Sequence, residues 1–569
     1  MPLMGSLYIG VSGLQTSQNS LNTTAHNVSN EGTVGYVRQQ ILTSTATYNT
    51  IAQDANAVSK QQIGLGVVYT KTRQVRDVFL DNTYRQESGR LSFYEVSSDA
   101  IEEIEYLLDE MNGESFQNSI DDLWTSIQEL AKDPSSAVTQ GLFIERCSEF
   151  LARANSVYDG LVDYQESLNQ QVLTDIDRIN EISEQIKELN DQIRNIECAN
   201  VEEANDLRDT RNSLLDELGK LASISYSEDL DSTVWVQLEG EDLVRGEISY
   251  KILPYEDPKT GFYLPFWEKN AKFTYNDYGE KQYSQEEAEK ARVFDLSRVI
   301  SSELNTDIGS LKSTILARGD HKSNYTDLKV NNYTNDVSQS VCMNIMAEFD
   351  QLVHNIATMI NGAISDAAIA AKELNPSSTY LLDKDGNPIQ VFQKIASDGY
   401  DAPPQLIDNG DGTYTYNVFY QEENDDINES LYMVTNLQIN VELLQQPTKL
   451  GFVLADNAVD YSTMEVIKAR FSAEDSTLNP NVMKKSSFID YYSDLVSQVA
   501  NSGAVYKSIL DSQEKTVSAT DDAREQIIGV SDDEELTFMI RFQNAYNASS
   551  RYINVVDEML EHIINTLGH

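Results

Sequence analysis

MGSLYIGVSGLQTSQNSLNTTAHNVSN (Met4–Asn30) carries Met4, Leu7, Val11, Leu14, Gln18, Leu21, Ala25 and Val28 at spacings of three and four. That rhythm places one seam of side chains along a helix that needs a partner helix. FMIRFQNAYNASSRYINVVDEMLEHI (Phe538–Ile563) repeats it with Phe538, Phe542, Ala545, Ser549, Tyr552, Val556, Met559 and Ile563. Small or polar residues at Gln18, Ala25, Ala545 and Ser549 permit close, register-specific contact at some cost in stability. A chain whose first and last helices both seek partners is organised for assembly. The assembly residues expected from the two seams are Leu7, Val11, Leu14, Leu21, Val28, Phe538, Phe542, Ala545, Tyr552, Val556, Met559 and Ile563.

The C-terminal seam has a marked start. Ser531 is followed three residues later by Glu534, the capping-box pattern, with Asp532 and Asp533 in the first turn. A helix from Leu536 to about Thr566 would be roughly 45 Å long. Alone it would be marginal, because helix nucleation is costly. Both end helices are therefore expected to be loose in the free monomer and ordered on assembly. Full amide protection of both ends in dilute monomer would refute this.

Outward from the ends, the 569 residues suffice for three or four domains. The net charge of −49 argues against nucleic acid and against anionic membrane surfaces. The acid is unevenly spread. Residues 1–30 contain no Asp, Glu, Lys or Arg, and Arg38, Lys60, Lys71 and Arg73 against Glu31 and Asp54 leave residues 1–75 at +2. No run approaches the ~20 apolar residues of a membrane helix, and the N-terminus lacks the features of a secretory signal peptide. Cys147, Cys198 and Cys342 form neither a disulfide framework nor a metal pattern.

Asn27–Gly35 breaks the first helix, and residues 40–75 are polar and extended. From Asp77 to about Leu221 the pattern is helical. Its clearest stripe is Ile176, Ile179, Ile182, Ile186, Leu189, Ile193 and Ile196, expected as an intramolecular core, with Asp206–Leu221 folded back against it. Thr233–Leu238 alternates as a strand and opens a β-rich insert. Helix is expected again over Glu303–Ala317 and Val341–Ala371. A second insert runs to Pro447, its best strand being Leu437, Ile439, Val441 and Leu443. The fold class is mainly α with β-rich inserts, elongated and multidomain. Its parts are a terminal-helix domain (1–50 plus 520–569), a helical rod (51–222 plus 301–374 plus 450–519), and inserts at 223–300 and 375–449.

Chemistry-bearing motifs are few. His26, His321, His354, His562 and His569 make no HExxH pair. Arg318-Gly319-Asp320 reads as a helix end with Gly319 as cap. Asp383, Asp385 and Asn387 begin like a calcium loop, but Pro388 and Lys394 stand where it needs Gly and Glu, so a turn is expected. Asp408–Gly412 reads as a hairpin turn. No cofactor, metal or catalytic group is expected, and the chain is read as not an enzyme.

Ser12-Gly13-Leu14, Leu21, Asn27-Val28-Ser29-Asn30, Thr33, Gly35-Tyr36 and Arg38-Gln39 together resemble the N-terminal segment of the bacterial flagellar rod, hook and hook-associated family. Val34 stands where that family usually has proline. Arg541–Gly568, Ile528–Leu536, Asn205–Leu218 and Val234–Glu247 are similar to its hook-associated branch at the hook–filament junction. The likeness is strong at both ends and moderate in the helical middle; it does not extend to residues 250–300 and 375–447. It implies a structural axial protein forming a ring of subunits through its terminal helices, between hook protein and a second junction protein or the flagellin filament. It also implies type III export to the extracellular flagellum, with a flagellar export chaperone on the C-terminal region beforehand. The alternatives are another rod or hook subunit, or an exported adhesin or enzyme carrying flagellar ends.

Overall fold

The computed structural model describes residues 2–53, 60–109, 116–199, 202–329, 333–383, 386–395, 406–408, 414–416, 423, 428–454 and 456–567. Long helices dominate. α1 (Pro2–Ser29) and α12 (Asp532–Leu567) pair with each other, and α2 (Val78–Asp109) packs along α11 (Phe488–Ile528). α3 (Phe116–Lys132) leads into α4 (Ala137–Glu197), whose 61 residues make a rod of roughly 90 Å. Ser136 starts that rod by accepting the Val138 amide. α5 (Asn205–Leu221) folds back on α4.

The rod supports two cores. Its first half packs with α2, α3, α11 and α8 (Val341–Leu374), around Phe116, whose ring lies 4.9–5.4 Å from Phe349, Tyr492 and Phe150. Its second half buries Ile176, Ile179, Ile182 and Ile186 completely. They meet Leu215 and Leu218 of α5 and the sheet β5 (Ile224–Glu228), β6 (Val234–Leu238), β7 (Glu241–Arg245) and β8 (Ile248–Ser249). In β6 Val234, Val236 and Leu238 face this core and Trp235 and Gln237 face out, so the expected alternation holds. Each such buried side chain contributes about 1.5–3 kcal/mol. The stripe ends early: Ile196 is exposed, beyond the edge of the sheet.

Three asparagines on α4, Asn169 and Asn190 buried and Asn180 half-buried, dock the first insert. Asn190 exchanges two hydrogen bonds with the Val234 backbone, and Asn180 does the same with Ile252. Asn169 donates to the Gly261 carbonyl and accepts from the Tyr263 amide. β9 (Ile252–Glu256) and β10 (Tyr263–Trp267) form their own antiparallel pair, as do β11 (Phe273–Tyr275) and β12 (Lys281–Tyr283). A short helix α6 (Gln285–Lys290) closes the insert, capped by Ser284.

Two sequence expectations are corrected here. Residues 303–309 are a turn followed by irregular chain, and helix α7 spans Ser310–Arg318. Gly309, at φ +97°, threads between α2 and the end of α5; its amide reaches the Gly89 carbonyl, and a Cβ there would lie 2.6 Å from Ala222 Cα. Arg318 ends α7 and Gly319 caps it at φ +80°. The second correction concerns Leu437–Leu443. β16 (Leu437–Ile439) pairs with β13 (Phe392–Lys394) and stops at Asn440, whose side chain accepts the Glu442 amide and starts helix α9 (Val441–Gln445). Val441 is thus exposed and Leu443 buried on a helical turn.

Asp383 and Asn387 close a turn with Gly386 at φ +82°; Asp385 lies outside the described residues. β14 (Leu406–Asp408) pairs antiparallel with β15 (Tyr414–Tyr416), while the connecting Asn409, Gly410, Asp411 and Gly412 also lie outside them. Among the described residues the second insert holds short strands and helical turns around α8, where Asn361 repeats the amide docking against Val391 and Phe392. α10 (Tyr461–Phe471) stacks Phe471 on Trp124 of α3 at 5.2 Å.

Candidate assembly interface

α1 and α12 run antiparallel, and the α1 side of their contact is made of small residues. Gly10, Ser17, Ser20, Thr24 and Asn27 are the buried positions of α1. Gly10 lies so close to α12 that a Cβ would stand 2.6 Å from Ile553 Cγ1, and one on Gly13 would stand 2.8 Å from Ser549 Oγ. Ser17 donates to the Gly13 carbonyl and Ser20 to that of Thr16, so their hydroxyls are satisfied within their own helix. From α12, Glu535 and Val556 are buried at this contact, while Phe538, Phe542, Ser549 and Ile553 are half-buried.

The apolar seam read from the sequence falls largely on other faces. Leu7, Leu14, Leu21 and Val28 are half-buried flanks. Val11 is exposed, with Met4 and Tyr8 beside it. On α12 Phe538, Phe542 and Val556 turn toward α1, whereas Ala545, Met559 and Ile563 are exposed, and Tyr552, also largely exposed, lays one ring edge beside Gly10. The row that makes the intramolecular pair escaped the apolar pattern because it contains no large apolar residue. Its signal is nevertheless present: Gly10, Gly13, Ser17, Ser20, Thr24 and Asn27 recur at three and four.

A clamp holds the pair to the rod. The buried Asn27 side chain accepts from the Tyr36 hydroxyl at 2.7 Å and the Gln39 amide at 3.0 Å, and donates to the Gln39 carbonyl at 2.9 Å. The preceding residue, Arg38, donates its amide to the Ile528 carbonyl at the end of α11. Its guanidinium meets Glu535 at 3.0 Å and Glu534 at 3.2 Å and lies over Phe538. Glu534 is thus committed to Arg38, a different role from the back-bonded half of a capping box. Beyond the clamp, β1 (Gln39–Thr45) pairs with β4 (Val67–Gln74), and β2 (Asn49–Gln53) with β3 (Lys60–Ile63).

α5 anchors this joint. Asp209 accepts the Val37 amide at 3.3 Å and the Gln74 side chain at 2.6 Å; burial pushes its carboxyl up to about 7. About two turns further, Asp216 receives Arg85 of α2 at 2.6 Å and Arg524 of α11 at 2.7 Å. Arg524 also meets Asp81, which Arg76 holds with two bonds of 2.9 Å. Burial opposes ionisation of Glu197, but two bonds of 2.7 Å from Arg208 prevail and draw it down to about 2. These anchors come from Asn205–Leu218, a stretch whose charged residues at helical spacing were readable as a motif but not as a joint. Among the described residues no group of three or more His, Cys, Asp or Glu is placed to hold a metal, and no helix is long and apolar enough to cross a membrane.

Residues 101–273, which hold α3, α4, α5 and most of the first insert, match the family model of the flagellar hook-associated protein FlgK helical domain. Residues 515–566 match the C-terminal model of the flagellar basal body rod FlgEFG proteins. The chain is 23% identical to flagellar hook-associated protein 1 of Bacillus subtilis (strain 168), over 99% of each chain. It is 22% identical to that of Escherichia coli (strain K12), over 98% of each. The solved flagellar hook junction protein FlgK from Burkholderia pseudomallei superposes with a TM-score of 0.52 at 11% identity, covering 79% of this chain and 100% of that one. Over nearly its whole length the chain is thus similar to flagellar hook-associated protein 1, and its residues 101–273 match the FlgK helical domain.

Proposed function

We propose that this protein is a structural axial component of the extracellular flagellum that joins hook to filament by self-association of its terminal helices. The observation that carries the reading is the apolar surface left uncovered on that pair: Met4, Tyr8 and Val11 on α1, and Ile540, Tyr552, Val555, Met559 and Ile563 on α12. Water-exposed rows of this kind mark a protein–protein contact. Their position on the two end helices, beside an intramolecular contact whose α1 side is made of small residues, leaves these large side chains for neighbouring subunits. Subunits form a ring, with hook protein below it and a second junction protein or the flagellin filament above. The terminal unit (1–50 plus 520–569) lines that ring, the rod (51–222, 301–374 and 450–519) surrounds it, and the inserts at 223–300 and 375–449 face outward.

The subunit travels through the flagellar type III export route without a cleaved signal peptide, and an export chaperone holds its C-terminal region beforehand. The deciding experiment is a cell lacking the gene, examined by electron microscopy. Hooks without filaments are expected, restored by the intact chain and not by a Met559→Asp chain. Normal filaments in the deleted cell would refute the reading.

A further inference from the structure

Beside the α1–α12 contact lies an open groove of about 410 Å³, walled by α1, β1 and the first half of α12. Thr16 and Ser20 form one side, Ile41, Phe538 and Phe542 the apolar floor, and Arg541 the rim. Phe538 and Phe542 stack with their centroids 6.1 Å apart, so the floor is a firm apolar surface. The volume far exceeds the ~30 Å³ that one water molecule occupies in the liquid. Among the described residues Arg541 makes no ion pair, although the chain carries −49.

The last turns of α12 have the complementary character. Val555, Met559, Ile563 and Ile564 are exposed there by 46%, 50%, 38% and 68%. Asp557, Glu558 and Glu561 lie between them, likewise without ion pairs among the described residues. From Ala545, the last groove residue on α12, to Met559 the helix advances roughly 20 Å. The chain therefore does not fill its own groove with this segment. We propose that the Val555–Ile564 segment of a second copy seats in this groove, with its apolar row on Phe538 and Phe542 and its acids against Arg541. This rests on the self-association reading above and specifies the surfaces it uses. Groove and segment are different patches of one molecule, so the contact is heterologous and propagates into a ring or helix rather than closing as a two-fold dimer.

The test is disulfide trapping in the full-length chain with Cys198→Ser, which leaves only the buried Cys147 and Cys342. Gln40→Cys, on the groove, and Met559→Cys, on the segment, are both exposed positions. Their separation within one chain is too large for an internal bond, which needs Cα atoms under ~7 Å apart. Oxidation of the concentrated double variant is expected to give a ladder of dimers, trimers and higher species, with each single variant giving at most dimers. Arg541→Glu is expected to weaken self-association roughly tenfold, and Glu561→Arg added to it to recover most of that loss. A chain that self-associates by light scattering yet yields no ladder would overturn the groove assignment and leave self-association standing. A chain that stays monomeric at every attainable concentration would overturn both. Capture of a different protein in the groove, with no ladder, would assign it to another partner and refute the proposal.

Discussion

Gly10 and Arg38 show how much of the terminal unit rests on single residues. Gly10→Val would push a methyl into Ile553, where even Cβ stands at 2.6 Å. Overpacking of that kind costs about 1–3 kcal/mol, here concentrated on the α1–α12 pair. Faster amide exchange along both helices, with the rod unchanged, is the expected result. Arg38→Ala would leave Glu535, 2% exposed, without its cation. Removing one partner of a buried pair costs on the order of 3 kcal/mol, so the terminal unit should melt before the rod in the variant and with it in the parent chain. The seam offers a sharper pair of substitutions. Val556 is buried on α1, so Val556→Asp should loosen the pair in the monomer; Met559 is half exposed, so Met559→Asp should leave the monomer's exchange pattern intact and abolish self-association. Equal exchange behaviour in the two variants would refute this division. An apolar pattern found the outward residues because it counts large side chains. It passed over Gly10, Ser17 and Thr24, whose value lies in how closely they let two backbones approach.

Among the elements, the helices and β6 were legible because each has a period and a boundary. The Ile176–Ile186 stripe and the Val234–Leu238 alternation each met the core on the expected face. Less legible was what joins helix to sheet. Asn169, Asn180 and Asn190 lie ten or eleven residues apart, about three helical turns, and each presents its amide to a strand as another strand would. Nothing in a single asparagine distinguishes this role from a solvated polar face. The same residue type misled the reading at Asn440, where a side-chain cap turns an apparently continuous strand into helix. Asn190 carries the most, since its oxygen also receives Arg211, which is 2% exposed. Asn190→Leu would orphan the Val234 backbone groups and one guanidinium N–H, each unsatisfied group costing about 1–3 kcal/mol. A lowered melting temperature with exchange accelerated first in β6 is expected. Unchanged protection in β6 would show that the docking bonds are dispensable.

The charge of −49 is more than a solvated surface, because several carboxyls are carried into the interior, where burial outweighs any cation near them. Burial pushes Asp350 up to about 7 and Asp175 up to about 6, as it does Asp209, and it also raises Glu348, whose neighbours Asn479 and Gln498 are neutral donors. The sequence exposes the acidic total but not which acids are inside, since Glu348 and Asp350 share a helix with apolar residues on every side. For these groups the folded chain binds protons more tightly than the unfolded chain, whose carboxyls titrate near 4. Stability is therefore greatest toward the acid side of the window and is lost as pH rises from about 4 through about 7. Easing of like-charge repulsion at lower pH acts in the same direction. Glu197, held near 2, works the opposite way, but only below about pH 4. Denaturant midpoints should thus be higher at pH 5.5 than at pH 8, the reverse of an ordinary acid-labile protein. Asp350→Asn separates the two causes, because it removes one buried titration while changing the total charge by a single unit. If burial dominates, that variant should lose a clear part of the pH slope. A slope that persists unchanged in it, and disappears in high salt, would instead assign the effect to repulsion between exposed carboxylates.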